Sequence, residues 1–240
     1  MQTANSRRPW QRYLAELIGT FFVVFGACGA VISDSVSNGA VTLAGISFVP
    51  GLMVLVMIYT LGPISAAHFN PAVTLAFAAA RRFPRRHVVP YILAQTLGAL
   101  LASGVHSVLF GPSVALKVSY GAHIPNVSTA SAFGFELIFA FLLMLVIMAV
   151  ATDKRVSAQV PAIAIGLTVA LAIQFGGPIS GASMNPVRSL APALFAGGAA
   201  LSALPIYLLA PTAGAILAAL VFEALRDGPA HAQSAPADLV

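Results

Sequence analysis

Long apolar segments alternate along the chain with short segments that carry its charges. Residues 35–80, 87–116, 118–135, 137–152, 156–187 and 189–222 contain no Asp, Glu, Lys or Arg. A helix needs about 20 mostly apolar residues to cross about 30 Å of hydrocarbon. The pattern therefore predicts six membrane spans, near residues 12–33, 40–61, 88–110, 131–152, 159–176 and 202–225.

Two further apolar segments, residues 62–80 and 177–198, are interrupted by proline and do not fit as spans. Each begins with Gly-Pro and contains Asn-Pro near its middle. Proline lacks the N–H that a mid-helix position needs, but it suits the first helical turn. Each segment thus predicts a loop and then a half-helix that starts near Asn70 or Asn185. A helix of about 11 residues extends only about 16 Å, and such elements occur at membrane depth only inside protein or along a cavity.

The chain also repeats itself. Residues 62–76 match 177–191 at nine of fifteen positions, and residues 91–102 match 207–218 at eight of twelve. Each repeat contains three predicted spans, and an odd number means that the second repeat is inserted upside down. We therefore predict an all-α membrane protein with an inverted repeat, divided into a tail (1–11), a first repeat (12–115), a second repeat (116–226) and a tail (227–240).

Composition supports a membrane protein and excludes other classes. Hydrophobic residues make up 59% of the chain and charged residues 8%, against about 45–50% and about 25% in soluble domains. Too few charges remain for a soluble enzyme, a disordered chain or a nucleic-acid binder. With six spans, ten of the twelve Lys and Arg residues fall on one side, which predicts that both termini are cytoplasmic. No catalytic triad, cofactor motif or metal-binding cluster is visible.

The sequence resembles the aquaporin, or major intrinsic protein, family. The resemblance rests on the two inverted Asn-Pro loops, on Arg188 three residues after Asn185, and on the duplicated Glu16 and Glu136. Three segments are most similar in sequence to the nodulin-like intrinsic proteins and their bacterial relatives: HFNPAVTLAF, RRFPRRHVVPYILAQ and GPISGASMNPVRSL. The resemblance implies a right-handed bundle of six helices, a pore in each protomer and a homotetramer in the cell membrane.

Three features depart from the usual family pattern. The second motif reads Asn-Pro-Val instead of Asn-Pro-Ala, and Pro63 and Ala66 occupy positions where the first loop often has His and Gly. The third departure concerns the outer selectivity filter, whose four positions by resemblance are Pro50, Ile173, Ala182 and Arg188. Water-selective members typically have an aromatic residue and a histidine at the first two.

Asn70 and Asn185 are the predicted pore centre. The N-terminus of a half-helix has unpaired N–H groups and about half a positive charge, so two facing N-termini repel cations. Each asparagine can cap its helix with its oxygen and offer its amide N–H groups to a passing water. That water then accepts two bonds and cannot relay a proton. The alternative interpretation is that each Asn-Pro is only a turn and a cap.

Other polar residues have supporting roles in this prediction. Arg188 lies in an otherwise uncharged segment, and a charge inside lipid by default faces a cavity or a partner; the alternative is an arginine that snorkels to the interface. We expect Glu16 and Glu136 to brace the loops before the half-helices, with a proton-relay role as the alternative. His68 either is tied to its loop or lines the pore, whereas His87, His106 and His123 are assigned no role.

The predicted function is a passive channel for water and small neutral solutes that excludes protons and ions. Proline and isoleucine in place of an aromatic ring and a histidine make a wider filter with an apolar wall, which suits glycerol or metalloid hydroxides such as arsenous acid. A water-selective channel is the nearest alternative. An ion-coupled secondary transporter and a non-conducting membrane scaffold are the alternatives from other classes.

Overall fold

The structure is a computed structural model that describes residues 8–153, 155–157 and 160–226. Its α-helices in chain order are α1 (Pro9–Val36), α2 (Thr42–Ser65), α3 (Pro71–Ala79), α4 (Arg85–Phe110), α5 (Pro112–Lys117), α6 (Thr129–Thr152), α7 (Val160–Gly176), α8 (Pro186–Ala196) and α9 (Gly198–Leu225). A 3₁₀ turn at Ser119–Gly121 follows α5. No strand occurs in the described ranges. The predicted all-α fold is confirmed.

The six predicted spans correspond to α1, α2, α4, α6, α7 and α9. Five of them are long and apolar enough to cross a membrane. The exception, α7, has 17 residues and extends about 26 Å at about 1.5 Å per residue. The half-helices α3 and α8 have 9 and 11 residues. The predicted boundary between the repeats, after residue 115, falls inside α5.

Several helix ends differ from the predicted bounds. Because α1 begins at Pro9, part of the predicted tail 1–11 is helical, while residues 1–7 and the predicted tail 227–240 lie outside the described residues. The last helix begins at Gly198, four residues before the predicted span. This first turn begins with small residues, whose hydrophobicity is too low to mark them as part of a span.

The prediction that a loop begins at residue 62 is wrong, because α2 continues to Ser65. Pro63 lies inside this last turn. Proline disfavours the helical region for the residue before it, but α2 also continues through Val49 and Pro50, so such a step does not by itself end this helix. The helix ends where Ala66 adopts a left-handed conformation with φ 66°, so the loop before α3 is short.

The two repeats pack in the same way. In the first, α1 packs against α4, and in the second, α6 packs against α9. Both contacts depend on a glycine: a Cβ on Gly98 would lie 2.2 Å from the carbonyl oxygen of Leu17, and one on Gly214 would lie 2.1 Å from that of Leu137. Without these side chains the backbones approach closely, as they do at small-residue interfaces in membrane proteins.

Contacts between the repeats hold the bundle together. The central pair, α2 and α7, crosses at Gly51 and Gly166, where a Cβ on either glycine would lie 2.6 Å from the carbonyl oxygen of the other. Each half-helix also contacts both α4 and α9, so α3 packs against the last span of the second repeat and α8 against the last span of the first.

Two surfaces of the bundle have contrasting chemistry. On α4, the row Leu93, Leu97 and Leu101 is 46–64% exposed, and such a continuous apolar face suits lipid. At one end of the bundle, which we call the basic end, Arg82 forms an ion pair with Glu223, and Arg226 donates a hydrogen bond to Thr152. Nearby, hydrogen bonds from the exposed Arg155 hold the pKa of the Asp153 carboxyl below its usual range.

Candidate functional site

A cavity of about 380 Å³ lies along the bundle between the two repeats. Its lining begins at Ala151 and Pro161, near the basic end, passes both Asn-Pro loops and reaches Arg188. Most of its wall is apolar, and α1, α2, α6, α7 and the loops before both half-helices contribute to it. Among the described residues of the wall, Arg188 is the one with a permanently charged side chain. The cavity therefore offers an uncharged path with one cationic point.

Asn70 and Asn185 meet at the middle of this cavity. Each is the N-cap of its half-helix: Asn70 Oδ1 accepts from Ala72 N at 2.9 Å, and Asn185 Oδ1 accepts from Val187 N at 3.2 Å. Proline follows each asparagine at the first helical position, where no N–H is required. Both side chains are nearly buried, with 6% and 7% of their surface exposed.

The two asparagine amides also join the repeats to each other. Asn70 Nδ2 donates to the carbonyl oxygen of Met184 at 2.7 Å, and Asn185 Nδ2 donates to that of Phe69 at 3.0 Å. Each carbonyl belongs to the loop of the opposite repeat. An amide has two N–H donors, so each asparagine keeps one donor for a molecule in the cavity.

The loops before the half-helices contain left-handed residues that are not glycine. Phe69 has φ 50° and Met184 has φ 53°, a conformation that costs about 1–2 kcal/mol for ordinary residues. The N–H groups of both residues point at a buried carboxylate: Phe69 N donates to Glu16 Oε2 at 2.7 Å, and Met184 N donates to Glu136 Oε2 at 3.0 Å. These charge-assisted bonds offset the local strain.

Further bonds complete each carboxylate site. Glu16 Oε1 accepts from His68 N at 2.9 Å, and Glu136 Oε1 accepts from Ser183 N at 3.0 Å. Each carboxylate also accepts from the serine hydroxyl that precedes its loop, and Gln95 donates to Glu16 as well. Both glutamates are fully buried, so each ties its span to the loop that carries the cavity wall.

His68 both lines the cavity and is tied to its loop. Its Nδ1 lies 3.1 Å from Thr74 Oγ1, and its ring lies 5.2 Å from the ring of Tyr91. The hydroxyl of Tyr91 in turn donates to the carbonyl oxygen of Ser65 at 2.8 Å. These contacts leave the ring fixed in the wall.

The four candidate filter residues all line the cavity. Pro50 lies on α2 and Ile173 on α7, and these two helices are joined nearby by a hydrogen bond from Ser47 Oγ to Gln174 Oε1 at 3.0 Å. Ala182 follows α7 in the loop and is 1% exposed. In α8, Arg188 NH1 donates to the carbonyl oxygen of Gly121 at 2.8 Å.

Sequence reasoning missed the segment that contains this carbonyl. Residues 121–124, between α5 and α6, line the cavity beside Arg188. His123, to which the sequence assigned no role, is 8% exposed, and its Nδ1 lies 2.8 Å from Ser189 Oγ. The segment lies between the repeats, so comparing one repeat with the other passes over it. The glycine at 121, whose φ is 69°, was the one sequence signal of a tight turn there.

Within the described ranges, no group of three or more His, Cys, Asp or Glu residues could hold a metal ion. The polar groups along the cavity are amides, hydroxyls, loop N–H and carbonyl groups, the imidazoles of His68 and His123, and one guanidinium. Such groups exchange hydrogen bonds with an uncharged polar molecule that passes.

Comparison with known proteins identifies the family. The sequence profile of the Major intrinsic protein family matches residues 3–222. The chain belongs to this family. This major intrinsic protein is 44% identical to Aquaporin NIP1-1 of Oryza sativa subsp. japonica over 216 residues, which cover 90% of this chain and 74% of the relative. It is also 44% identical to Nodulin-26 of Glycine max, over 90% of this chain and 78% of the relative.

A third relative agrees with this assignment, and a solved structure shares the fold. Probable aquaporin NIP4-2 of Arabidopsis thaliana is 44% identical over 94% of this chain and 80% of the relative. The X-ray structure of the aquaglyceroporin from Plasmodium falciparum superposes with a TM-score of 0.81 at 22% identity, covering 91% of this chain and 97% of that one. The predicted resemblance to NIP-type aquaporins is confirmed, as is the aquaporin fold. The chain is therefore a multi-pass membrane protein of a channel family.

Proposed function

We propose that this protein is a passive channel for water and small neutral solutes, and that it excludes protons and ions. The observation that carries the proposal is the cavity of about 380 Å³, built by both repeats, in which Arg188 is the one permanent charge among the described wall residues. A wall of this kind offers hydrogen bonds without a site that would hold an ion. Glycerol and metalloid hydroxides such as arsenous acid are the solutes we propose.

Exclusion of protons is attributed to Asn70 and Asn185. Two half-helix N-termini face each other there, and each carries about half a positive charge. The two free amide N–H groups donate to the oxygen of a passing water, which then has no lone pair left to accept a proton along the file. Arg188 adds a second barrier to cations, as an arginine in a narrow pore does.

Solute choice is attributed to the ring of Pro50, Ile173, Ala182 and Arg188. Three of its members are apolar, and the side chains of proline and alanine are short. The ring therefore combines a guanidinium donor with an apolar surface, which matches molecules that have both hydroxyl groups and an apolar side. Glycerol has this character, and uncharged arsenous acid is of similar size.

Orientation, assembly and membrane are part of the same proposal. The excess of Lys and Arg at the basic end favours a cytoplasmic location for that end and for both termini. The apolar outer faces favour a lipid bilayer, and family membership supports a homotetramer in the cell membrane with one pore in each protomer.

The test is stopped-flow light scattering on proteoliposomes with water, glycerol and arsenite. We expect both water and solute fluxes above those of empty liposomes, and no dependence on an ion gradient. Flux that requires such a gradient would favour the secondary transporter, water flux without solute flux would favour the water-selective channel, and no flux would favour the scaffold.

Replacing Pro50 by Phe and Ile173 by His tests the filter. The added ring and donor narrow the path, so solute flux should fall while water flux is spared. Leu52→Phe is the matched control, because it adds the same ring to α2 at a side chain that is 48% exposed on the outside. Unchanged solute flux in the double variant would contradict the filter assignment. Arg188→Val should admit cations under voltage clamp.

A further inference from the structure

The segment between the repeats raises the question of what holds Arg188 in place. The hydrogen bond that the structure gives to its guanidinium goes to the carbonyl oxygen of Gly121 at 2.8 Å. Gly121 packs closely on α1: a Cβ there would lie 2.9 Å from Cys28 Cα. The position of Arg188 therefore depends on how firmly this piece of backbone is held.

His123 holds the segment on its C-terminal side, two residues after Gly121. Its Nδ1 lies 2.8 Å from the hydroxyl of Ser189, the residue that follows Arg188 in α8. Its ring lies 5.1 Å from the ring of Tyr207 and rests on the backbone of Gly181, where a Cβ would come within 2.3 Å of the imidazole. One side chain thus links the segment to α8, to α9 and to the loop that carries Ala182.

The partner hydroxyl is itself fixed. Ser189 is 1% exposed, and its Oγ lies 2.6 Å from Ser183 Oγ, which donates to the carbonyl oxygen of Asn185 at 2.9 Å. The bond to His123 therefore ends in a polar chain anchored beside the pore centre, and it restrains position more firmly than a bond to a mobile surface group.

The first repeat contains the same arrangement with a histidine from a different part of the chain. There, His68 Nδ1 lies 3.1 Å from Thr74 Oγ1 and its ring lies 5.2 Å from Tyr91. Thr74 and Ser189 are 115 residues apart and Tyr91 and Tyr207 are 116 apart, which are the offsets of the repeat. The second repeat has a serine at the position equivalent to His68. His123, which lies outside the aligned segments, makes the equivalent contacts there.

We propose that His123 is a positioning residue for Arg188 in the proposed filter: through its bond to Ser189 it fixes the segment whose Gly121 carbonyl orients the guanidinium. The proposal rests on the proposed channel function. Without this bond the carbonyl shifts, the guanidinium is no longer held in one position, and the filter loses its fixed width. A solute larger than water gains most, because water already fits.

Two substitutions at position 123 separate hydrogen bonding from packing. His123→Phe keeps a ring on Tyr207 and removes Nδ1, whereas His123→Asn keeps a polar atom at the same number of bonds from the backbone. We expect His123→Phe to raise the ratio of glycerol to water permeability in proteoliposomes by about fivefold, the equilibrium factor of a typical hydrogen bond. His123→Asn should stay within about twofold of the unmodified protein on the same scale.

The matched control is His106→Phe. His106 is also a buried histidine with a hydrogen bond to backbone, 3.0 Å from the carbonyl oxygen of Phe25, but it does not line the cavity. The substitution His106→Phe should leave the ratio of glycerol to water permeability unchanged even if it lowers the thermal stability. Should His123→Phe fail to fold, Ser189→Ala removes the same bond from the other side and should raise the ratio likewise.

A double variant tests whether His123 acts through the arginine. In an Arg188→Val background, His123→Phe should change the ratio no further, because coupled residues are non-additive. An unchanged or lower ratio in both His123→Phe and Ser189→Ala, or an undiminished effect of His123→Phe in the Arg188→Val background, would overturn the proposal. If the unmodified protein conducts nothing, the proposed channel function itself fails, which is a separate result.

Discussion

Adding a single methyl group at Gly98 should destabilise the fold. In Gly98→Ala the new Cβ would lie 2.2 Å from the carbonyl oxygen of Leu17 and 3.0 Å from the backbone nitrogen of Phe21. Cβ atoms essentially never approach other heavy atoms within 3.0 Å, and the atoms they would meet here are backbone. They cannot rotate away, so α1 and α4 must separate until the distance to the oxygen grows beyond that limit.

The magnitude follows from the cost of overpacking. Inserting one carbon into a well-packed interface costs about 1–3 kcal/mol, and a rigid backbone neighbour argues for the upper end, about 2–3 kcal/mol. The matched control is Gly104→Ala in the same helix, whose Cβ would lie 3.8 Å from the Phe195 ring, an ordinary contact. That change should be neutral or stabilise by up to about 1 kcal/mol, since alanine favours helix.

The assay is the free energy of unfolding by SDS titration in mixed micelles, with the midpoint of thermal unfolding as a second measurement. We expect Gly98→Ala to be less stable than Gly104→Ala by about 3 kcal/mol. Equal stability of the two variants would refute the close approach of α1 and α4. The same comparison applies to Gly214→Ala, whose control is Gly134→Ala, where a Cβ meets nothing within 4 Å.

Four further substitutions test other contacts. Tyr91→Phe and Tyr207→Phe each remove one buried hydrogen bond to a serine carbonyl, that of Ser65 or Ser180, and should each lower the free energy of unfolding by about 1 kcal/mol; a large difference between them would contradict equivalent roles in the repeats. Glu223→Gln breaks the part-exposed ion pair with Arg82 and should cost at most about 1 kcal/mol, less in high salt; a loss that is insensitive to salt would speak against an ionic contribution. Gly51→Ala pushes α7 away from α2 and should lower water flux in proteoliposomes, whereas flux equal to that of the unmodified protein would argue against a tight crossing.

The half-helices and their caps were predictable because the sequence signals for them occur twice in the chain, once in each repeat. Proline after asparagine suits only the start of a helix, and the same motif occurs twice at matching offsets. The buried glutamates were predictable as loop supports for the same reason, although no pattern says that Glu16 accepts four bonds and Glu136 three.

Other features depend on contacts that no local pattern encodes. The last turn of α2 continues through Gly62 and Pro63, whereas a rule for Gly-Pro alone favours a break. His123 escaped notice because its partner, Ser189, is 66 residues away and the histidine itself has no counterpart at the repeat offset.

The placement of the half-helices also limits the order in which this molecule can be completed. The half-helix α3 packs against α9, and the amide of Asn70 bonds to a carbonyl beyond α7. Since α3 comes early in the chain, it is synthesised well before these partners. The first repeat alone leaves α3 with polar ends and an unfilled side. The contacts of α3 are therefore complete only once α9 is in place, so the last helix of the chain is needed to finish the packing of the first half-helix.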